Sequence, residues 1–523
     1  MSCIMGREDQ IIEERLKKLK ELRKDGINPY PYSYEVKNYA KDLQEKYDKL
    51  KAEEKTKDKV KIAGRLINVR DLGKIAFGVI ADSTSKIQFV LQDGETPAKV
   101  FEFLKKYIDS GDFIGVEGIV FRTKRGELSV LVNKIELLSK STLPLPDKFY
   151  GLQDKEERYR KRYLDLIMSP EVREVFVKRE KILDLTREFL KARAFHEIDT
   201  PYLQTVYGGA AAKPFQTHLN ALNIPLFLAI SPELYLKRLI VGGYDKVFTI
   251  ARNFRNEGID RWHNPEFTMM EIYWAYTDYT DMMSLQEDLF EHICKKINGS
   301  TKITIRGTEV DFKKPWKRVT MADAIKKSAK IDVLKMDEKE LREFIEENKV
   351  ELKGKGWGWY VQSIFEHFCE KDLIQPTFVI DHPRETTPLC KIHRKDERLI
   401  ERFESFCMGT ELSNAYSELN DPIEQRKLLE DQQKELTSGN NEANPYDEDF
   451  VNAIEIGMPP TSGIGIGIDR MIILLTGQES IRDVIMFPFM KPETKTEAKV
   501  EVNEVKQEKK DNKKESKKEA KKK

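Results

Sequence analysis

The chain has 523 residues, of which 40% are hydrophobic and 34% charged, so it can fill the cores of about three or four domains of roughly 150 residues each. Its formal net charge is only +1, so overall charge does not mark a nucleic-acid binder, and any site for a polyanion must come from local clustering. The five cysteines are scattered without a CxxC pair, and no apolar run is long enough to cross a membrane, which leaves zinc, redox and transmembrane interpretations unsupported.

The first 58 residues are predicted to form a helical extension. Residues 8–25 place Leu16 and Leu19 near helical spacing, and a glycine and two prolines in GINPYPY end that helix. A second charged stretch, about 40–56, is also predicted to be helical. The charged N-terminus contains no apolar signal core and the sparse cysteines fit a reducing compartment, so we expect a cytoplasmic location.

Residues 59–140 have the texture of a small antiparallel barrel. From Val60 onward, apolar and polar residues alternate with turn signals about every 8–12 residues, and Arg125-Gly126 predicts a hairpin turn. About five short strands in this length suit a five-stranded barrel of the kind that binds nucleic acids. A sandwich or a linker domain without a ligand would have the same texture.

The remainder of the chain is predicted to be one large mixed domain with flanking segments. Residues 141–165 contain two prolines and dense charge, which indicates a linker that enters a long helix. Strand and helix patterns then alternate over 166–493, with a charged helical insert at about 320–375. The tail, 494–523, is low in complexity and rich in lysine, and we expect it to be disordered.

The segment RNFRNEGIDRWHNPEFTMMEIYWAY, residues 252–276, combines charged side chains with strand-like apolar sequence. It predicts a strand, a polar turn and a returning strand, with Phe267 and Glu271 on one face because strand side chains alternate. Buried charges are costly unless they are paired. Arg255 and Glu257 could satisfy each other within a core hairpin, or these charges could face a charged substrate.

The segment ERFESFCMGTELSNAYSELNDP repeats this pattern further along the chain. Asn414, Tyr416 and Glu418 alternate and therefore share one strand face. Glu404 and Glu411 have no neighbouring lysine, which favours a hard, oxygen-liganded cation such as Mg²⁺ held by one or two carboxylates and substrate phosphates. The alternative is that these acidic side chains are simply solvated.

The segment GIGIGIDR, residues 463–470, alternates glycine with isoleucine. One face of the predicted strand carries no side chains, so a flat ligand could lie on it, and Arg470 follows at the start of an apolar helix. The context of a dinucleotide-binding GxGxxG is missing, and close packing of the strand would explain the glycines equally well.

These patterns converge on one site. Arg255 and Arg470 supply cations for phosphate, Phe267 and the glycine strand a slot for a flat base, and Glu404 and Glu411 a place for Mg²⁺. An ATP-like substrate beside leftover anions indicates a cationic second substrate. The leftover anions are Glu233, Glu271 and Glu418.

From about residue 8 to 493, the sequence resembles the class II lysyl-tRNA synthetases. FHEIDTP, RNFRNEG with HNPEFTMMEIY, and GIGIGIDR are similar to the three class II motifs, and GGAAAKPF and SPELYLKRLIVGG to lysine-family signatures. The resemblance implies an α+β protein with an N-terminal five-stranded OB-type β-barrel for the anticodon. A class II catalytic domain, built on an antiparallel β-sheet flanked by helices, would follow it.

The resemblance also implies a set of site residues. For ATP these are Arg255, Glu257, His263, Asn264, Phe267, Glu404, Glu411, Gly467 and Arg470. Within that set Arg255 and Arg470 are the catalytic pair, Phe267 and Arg470 enclose the adenine, and Glu404 and Glu411 hold Mg²⁺. For lysine they are Gly209, Glu233, Arg255, Glu271, Tyr273, Asn414, Tyr416 and Glu418. For the anticodon they are Arg70, Phe77 and Glu127.

The implied activity is that of a lysine–tRNA ligase, an aminoacyl-tRNA synthetase that uses ATP, L-lysine and lysine tRNA and works as a homodimer without a membrane partner. An aspartate- or asparagine-charging relative, a lysyltransferase that modifies protein, and a non-catalytic RNA-binding relative remain as alternatives. The sequence departs from the family pattern at Ala194, where glycine is usual, at Tyr416, where bacterial relatives usually have phenylalanine, and in its lysine-rich tail.

Overall fold

The computed structural model describes residues 7–146, 152 and 154–492, which form two compact units divided between residues 153 and 154. The lysine-rich tail and Cys3 lie outside the described residues. The other four cysteines are buried free thiols. Within the described part of the chain, no helix is both long and apolar enough to span a membrane.

The first unit is a closed five-stranded barrel with accompanying helices, as predicted. Neighbouring strands follow the order β1-β2-β3-β5-β4. Its elements are α1 (Arg7–Lys24), α2 (Ala40–Lys46), β1 (Lys55–Asp71), β2 (Ile75–Ala81), β3 (Lys86–Gln92), α3 (Ala98–Tyr107), β4 (Phe113–Arg122) and β5 (Leu128–Ser139).

Alternation of apolar and polar residues builds this barrel. Every second residue of β2 is buried, and the buried set joins one core with Leu22 of α1 and Leu104 of α3. Gly78 is required here because a Cβ at this position would lie 2.1 Å from the ring of Phe89. The predicted hairpin turn is present, and Gly126 adopts the left-handed conformation with φ of 86°.

The second unit contains the remaining regular elements. The helices are α4 (Lys155–Arg160), α5 (Arg162–Met168), α6 (Pro170–Lys191), α7 (Glu233–Val241), α8 (Tyr279–Asn298), α9 (Met321–Ser328), α10 (Glu338–Asn348), α11 (Trp357–Phe368), α12 (Pro422–Thr437), α13 (Glu448–Ile456), α14 (Ile468–Thr476) and α15 (Ile481–Val484). Three short 3₁₀ helices lie at Val333–Lys335, Glu370–Asp372 and Arg384–Thr386. The strands are β6 (His196–Glu197), β7 (Leu203–Gln204), β8 (Gln216–Leu219), β9 (Ile224–Leu228), β10 (Lys246–Phe254), β11 (Glu266–Ala275), β12 (Lys302–Ile305), β13 (Thr308–Asp311), β14 (Lys317–Thr320), β15 (Thr377–Pro383), β16 (Leu399–Cys407), β17 (Thr410–Ser417) and β18 (Thr461–Gly467).

An eight-stranded sheet organises this unit, in the order β14-β15-β16-β17-β18-β11-β10-β6. Its six central strands pair antiparallel, and the edge strands β14 and β6 pair parallel with their neighbours. One face packs on α6, α8 and α14 through a core that includes Met270, Ile272, Ile464 and Ile466. The α+β class and the antiparallel, helix-flanked sheet predicted from the sequence are confirmed.

Two local predictions differ from the structure. The helix expected over about 40–56 ends at Lys46, and strand β1 already begins at Lys55, because the barrel recruits charged residues that propensity alone assigns to a helix. The segment expected to be a linker contains α4 and part of α5. Buried Arg162 donates to Asp165 there at 2.8 Å and ties the short helix α5 down.

Candidate functional site

A cavity of about 360 Å³ lies over the central strands of the large sheet. Side chains from β11, β16, β17 and β18 line it, together with the segments that follow β10 and precede α7. All residues predicted for ATP and for lysine line this one cavity. What each of them does toward a substrate remains a prediction.

Strand β11 supplies the floor of the cavity through its alternation. Phe267, Glu271 and Tyr273 face the cavity, whereas Met270 and Ile272 are fully buried in the core on the opposite face. Strand β10 pairs antiparallel with β11 along its full length. The hairpin predicted for this part of the sequence is therefore present.

The glycines of β18 make room for protein side chains. A Cβ on Gly463 would lie 2.1 Å from the Glu418 Oε1 atom and 2.5 Å from the ring of Tyr273. The expectation that a flat ligand lies directly on this strand is therefore wrong at Gly463, where Glu418 and Tyr273 occupy the space. At Gly467 the nearest atom to such a Cβ is 3.5 Å away, on Arg470.

One end of the cavity is acidic and buried. Glu271 accepts hydrogen bonds from the Ser231 hydroxyl at 2.7 Å and from the Tyr273 hydroxyl at 3.1 Å. Burial raises the pKa of Glu271 to about 8, and the nearby carboxylate of Glu233 adds to the shift. Burial also raises the pKa of Glu418 well above its usual value, although Lys237 opposes this shift.

Glu233 is held from two sides at this acidic end. The Tyr416 hydroxyl lies 2.7 and 2.8 Å from its two carboxylate oxygens, and the Lys237 ammonium donates at 2.6 Å. Gly209 has φ of 85°, and a Cβ there would approach the Cβ of Glu233 to 2.8 Å. The Tyr416 hydroxyl thus adds a hydrogen bond within the pocket that phenylalanine could not make.

The other end of the cavity carries two arginines. The guanidinium of Arg255 lies 5.2 Å from the centroid of the Phe267 ring, and its buried Nε atom has no hydrogen-bond partner among the described residues. Burial lowers the pKa of Arg255, and Glu257 is the main opposing charge. A cation that is desolvated and incompletely paired is suited to an anionic ligand.

Arg470 reaches the same space from the start of α14. It donates to the backbone oxygen of Glu411 at 2.9 Å and to its carboxylate at 3.0 Å. Its other terminal nitrogen is 3.3 Å from Nε2 of His263, whose Nδ1 is 2.8 Å from Asp260. The side-chain amide of Asn264, another predicted site residue, is bonded within the protein. Its Nδ2 donates to the backbone oxygen of Glu266, and its Oδ1 accepts from the backbone N–H of Phe489.

Glu404 and Glu411 are brought together by the pairing of β16 with β17. Burial raises the pKa of Glu404 to about 7, a shift that Arg402 opposes and Glu411 increases. Burial would also raise the pKa of Glu411, but Arg470 outweighs it and the net shift is downward. The described residues contain no set of three or more acidic, His or Cys side chains arranged to hold a metal alone.

Two carboxylates of this kind fit Mg²⁺. They provide hard oxygen ligands, and a cation between them would relieve the mutual repulsion that contributes to the raised pKa of Glu404. Because protein ligands alone do not complete a metal site in the described part of the chain, the remaining ligands would come from phosphate oxygens and water.

Three residues that bond to carboxylates of the predicted site were not themselves predicted from the sequence. Ser231 donates to Glu271, Lys237 bridges carboxylates behind the cavity, and Arg402 donates to Asn414 at 2.8 Å and Glu404 at 2.6 Å. The spacing Glu233-x-x-x-Lys237 could have indicated the contact between these two side chains, because residues four apart share a helix face. Arg402 alternates with Glu404 along β16, which also places both on one face.

The barrel carries a separate concave surface lined by the residues predicted for the anticodon. Arg70 on β1 is paired in register with Phe77 on β2, and Glu127 lies in the turn between β4 and β5. This surface combines an aromatic ring, a cation and a carboxylate, and can stack on and hydrogen-bond to an unpaired base.

Comparisons with known proteins agree with both regions. Residues 154–491 match the family described as tRNA synthetases class II (D, K and N), and residues 60–138 match the OB-fold nucleic acid binding domain. The chain is 49% identical to the lysine–tRNA ligase of Methanoculleus marisnigri over 91% of its own length and 94% of that protein. It is 49% identical to the lysine–tRNA ligase of Clostridium novyi, over 92% of its own length and 94% of that protein. It is 47% identical to the lysine–tRNA ligase of Thermotoga maritima, over 92% of its own length and 96% of that protein.

Proposed function

The chain belongs to the class II tRNA synthetases, and on that premise we propose that it is a lysine–tRNA ligase, which activates L-lysine with ATP and transfers it to lysine tRNA. The observation that carries this proposal is the acidic end of the cavity. Buried Glu233, Glu271 and Glu418 surround a space that opens toward Arg255. An amino acid with two ammonium groups and one carboxylate complements this arrangement.

The charge of the pocket separates lysine from the other substrates of this family group. Aspartate would bring a carboxylate against three buried carboxylates, and asparagine would leave them without a cation, which is costly in a buried site. Leucine and methionine fail for the same reason. Ornithine keeps both ammonium groups and lacks one methylene, a difference worth only about 1–3 kcal/mol.

In the first step, a lysine carboxylate oxygen attacks the α-phosphorus of ATP and pyrophosphate leaves, so that lysyl-adenylate forms. We assign Arg255 to the lysine carboxylate and the α-phosphate, because its guanidinium lies 5.2 Å from the centroid of the Phe267 ring and interacts electrostatically with Glu271 of the acidic pocket. We assign Phe267 and Arg470 to the adenine, and Glu257 and His263 to the base and outer phosphates. Such chemistry depends on positioning and charge neutralisation and needs no protein nucleophile.

Magnesium is assigned to Glu404 and Glu411. Bound there with phosphate oxygens, it would neutralise charge that develops on the leaving pyrophosphate. Arg402 keeps Glu404 in place through a hydrogen bond of 2.6 Å, and Arg470 does the same for Glu411 at 3.0 Å. These two arginines orient the carboxylates.

In the second step, the terminal hydroxyl of the tRNA attacks the lysyl carbonyl carbon and AMP leaves. We propose that the barrel selects the tRNA by its anticodon, with Phe77 stacking on a base and Arg70 and Glu127 reading its edges. If the chain modified a protein instead, the concave surface of the barrel would have no function. If the chain only bound RNA, the cavity of the second unit would have no function.

We also propose a homodimer formed by the second unit. Large apolar side chains are exposed in the isolated chain: Tyr163 of α5 at 61%, Val177 of α6 at 57% and Leu203 of β7 at 52%. Sedimentation equilibrium tests this proposal, since we expect a dimer mass for the wild type and a smaller mass for Val177→Glu. A monomeric wild-type protein would contradict it.

Aminoacylation tests the proposed function directly. Lysine tRNA, ATP and Mg²⁺ are incubated with the protein and with labelled lysine, aspartate or asparagine, and label on the tRNA is measured. We expect charging with lysine alone. Charging with aspartate or asparagine, or labelling of protein in place of tRNA, would overturn the assignment.

A further inference from the structure

Lys237 is an unusual residue because its side chain is fully buried. It lies one turn after Glu233 on α7, and it does not line the cavity. Its ammonium is 5.5 Å from the ring centroid of Tyr416 and 5.9 Å from that of Phe450. Lys237 therefore stands behind the acidic end of the cavity, where it cannot meet a ligand.

The ammonium of Lys237 joins two carboxylates that come from different elements. It donates to Glu233 at 2.6 Å and forms an ion pair with Glu418, just beyond the end of β17. Burial alone would lower the pKa of Lys237, but Glu233 and Glu418 outweigh burial and raise it above its usual value. Lys237 therefore carries its positive charge at neutral pH.

The charges at the acidic end of the cavity balance when lysine is added. When Glu233, Glu271 and Glu418 are all ionised, they carry three negative charges, and Lys237 offsets one of them. Two remain, which matches the α-ammonium and ε-ammonium groups of one lysine molecule. Without Lys237, two buried carboxylates would repel each other across the pocket, and the bound state would keep an uncompensated charge.

Each of the two carboxylates also has surroundings of its own. Glu233 accepts from the Tyr416 hydroxyl, and Glu418 occupies space that the missing side chain of Gly463 leaves open. No contact other than Lys237 ties the two carboxylates directly to each other among the described residues. The distance between the groups that would bind the two ends of lysine thus depends on one internal ammonium.

We propose that Lys237 is a positioning residue that holds Glu233 and Glu418 at the spacing of the two ammonium groups of lysine. This inference rests on the proposed function. Lys237 thereby lets the pocket prefer lysine to ornithine, which is one methylene shorter and does not reach both carboxylates at a fixed spacing. The selectivity comes from a residue that touches no substrate.

The test is lysine- and ornithine-dependent ATP–pyrophosphate exchange with Lys237→Met, which keeps the length of the side chain and removes its charge. We expect KM for lysine to rise about tenfold or more, the lysine-to-ornithine ratio of kcat/KM to fall at least about fivefold, and KM for ATP to stay unchanged. Arg238→Gln is the matched control. It removes the next cation of α7, which pairs with Asp447 outside the cavity, and should leave the ratio unchanged.

A second variant covers the case in which Lys237→Met does not fold. Lys237→Arg keeps the buried cation, but its planar head is larger than an ammonium and alters the spacing, so the ratio should still fall by about threefold. Melting temperatures separate loss of folding from loss of selectivity. An unchanged ratio in a folded variant would overturn the inference, whereas a wild-type protein without lysine-dependent exchange would overturn the proposed function itself.

Discussion

The two ends of the cavity hold charges of opposite sign in different ways. At the arginine end, Arg255 has a buried nitrogen without a hydrogen-bond partner among the described residues, and Arg470 is bonded to half-buried Glu411. At the carboxylate end, Glu233, Glu271 and Glu418 are fully enclosed and hydrogen-bonded or ion-paired by Ser231, Tyr416 and Lys237. The first end is suited to neutralising phosphate, and the second to selecting one amino acid.

Catalysis and selectivity are therefore assigned to different ends of the cavity. In the proposed function, charges at the arginine end serve every amino acid that enters, so changes there should lower the rate for all substrates. Charges at the carboxylate end would act only through the side chain and the α-amino group, so changes there should alter which amino acid reacts. Substitutions at the two ends should therefore have different kinetic effects.

Arg255→Ala should have the largest effect. In the proposed function its guanidinium contacts both reactants, so its loss would remove charge neutralisation and positioning together, and we expect kcat for pyrophosphate exchange to fall by about 10²–10³-fold. Exchange with lysine and with ornithine should fall by the same factor. A change in their ratio would contradict the division between the two ends.

Glu418→Gln should change selectivity more than rate. It removes one buried carboxylate but keeps the shape of the side chain, so kcat/KM for lysine should fall by about 10–100-fold. Discrimination against methionine and leucine should weaken, because a neutral side chain no longer leaves that carboxylate unpaired. Competition assays between lysine and methionine measure this change, and unaltered discrimination would count against the assigned role.

Lysine binding should depend on pH through Glu271. Its pKa is raised to about 8 in the unliganded protein, so it is mostly protonated at neutral pH. Ammonium groups of lysine favour the ionised form, so binding releases a proton and KM for lysine should fall as pH rises from about 6.5 to 8.5. Calorimetry in two buffers of different ionisation enthalpy measures the proton.

Glu271→Gln is the control for that pH dependence. Glutamine cannot release a proton, so the proton release on lysine binding should decrease, and lysine should bind more weakly at every pH. Persistence of the same proton release in Glu271→Gln would assign it to another group.

Tyr416→Phe should have a modest effect at the carboxylate end. The hydroxyl that donates to Glu233 contributes about 1 kcal/mol as a net hydrogen bond, so KM for lysine should rise by roughly fivefold with kcat nearly unchanged. Steady-state exchange kinetics check this. An effect confined to kcat would show that Glu233 is oriented by other groups.

Ala194→Gly lies outside the cavity and should leave both ends unaltered. Ala194 adopts φ of 64°, a left-handed conformation that costs a residue with a Cβ about 1–2 kcal/mol relative to glycine. We expect a small rise in melting temperature by calorimetry and unchanged kinetics. Lower stability would mean that the side chain makes a compensating contact.

The sequence predicts the parts of the site that depend on neighbouring residues in the chain, and it misses contacts between residues that are far apart in the chain. Alternation along β11 and β17 placed Phe267, Glu271 and Tyr416 on the cavity face because strand geometry is local. Lys237 was missed because a lysine on a helix is usually solvated, and its burial depends on Glu418, 181 residues later in the chain (418 minus 237). At Gly463 the sequence left a flat ligand and close packing as equal explanations, because the side chains that fill the space, Glu418 and Tyr273, are distant in the chain.

The most direct measurement of the central claim is ATP–pyrophosphate exchange by the wild-type protein with lysine, ornithine, leucine and aspartate, in the absence of tRNA. The account predicts exchange with lysine, weaker exchange with ornithine by a factor of about 10–200, and none with leucine or aspartate. Exchange driven by aspartate, or equal exchange with lysine and leucine, would contradict the claim that three buried carboxylates select the substrate.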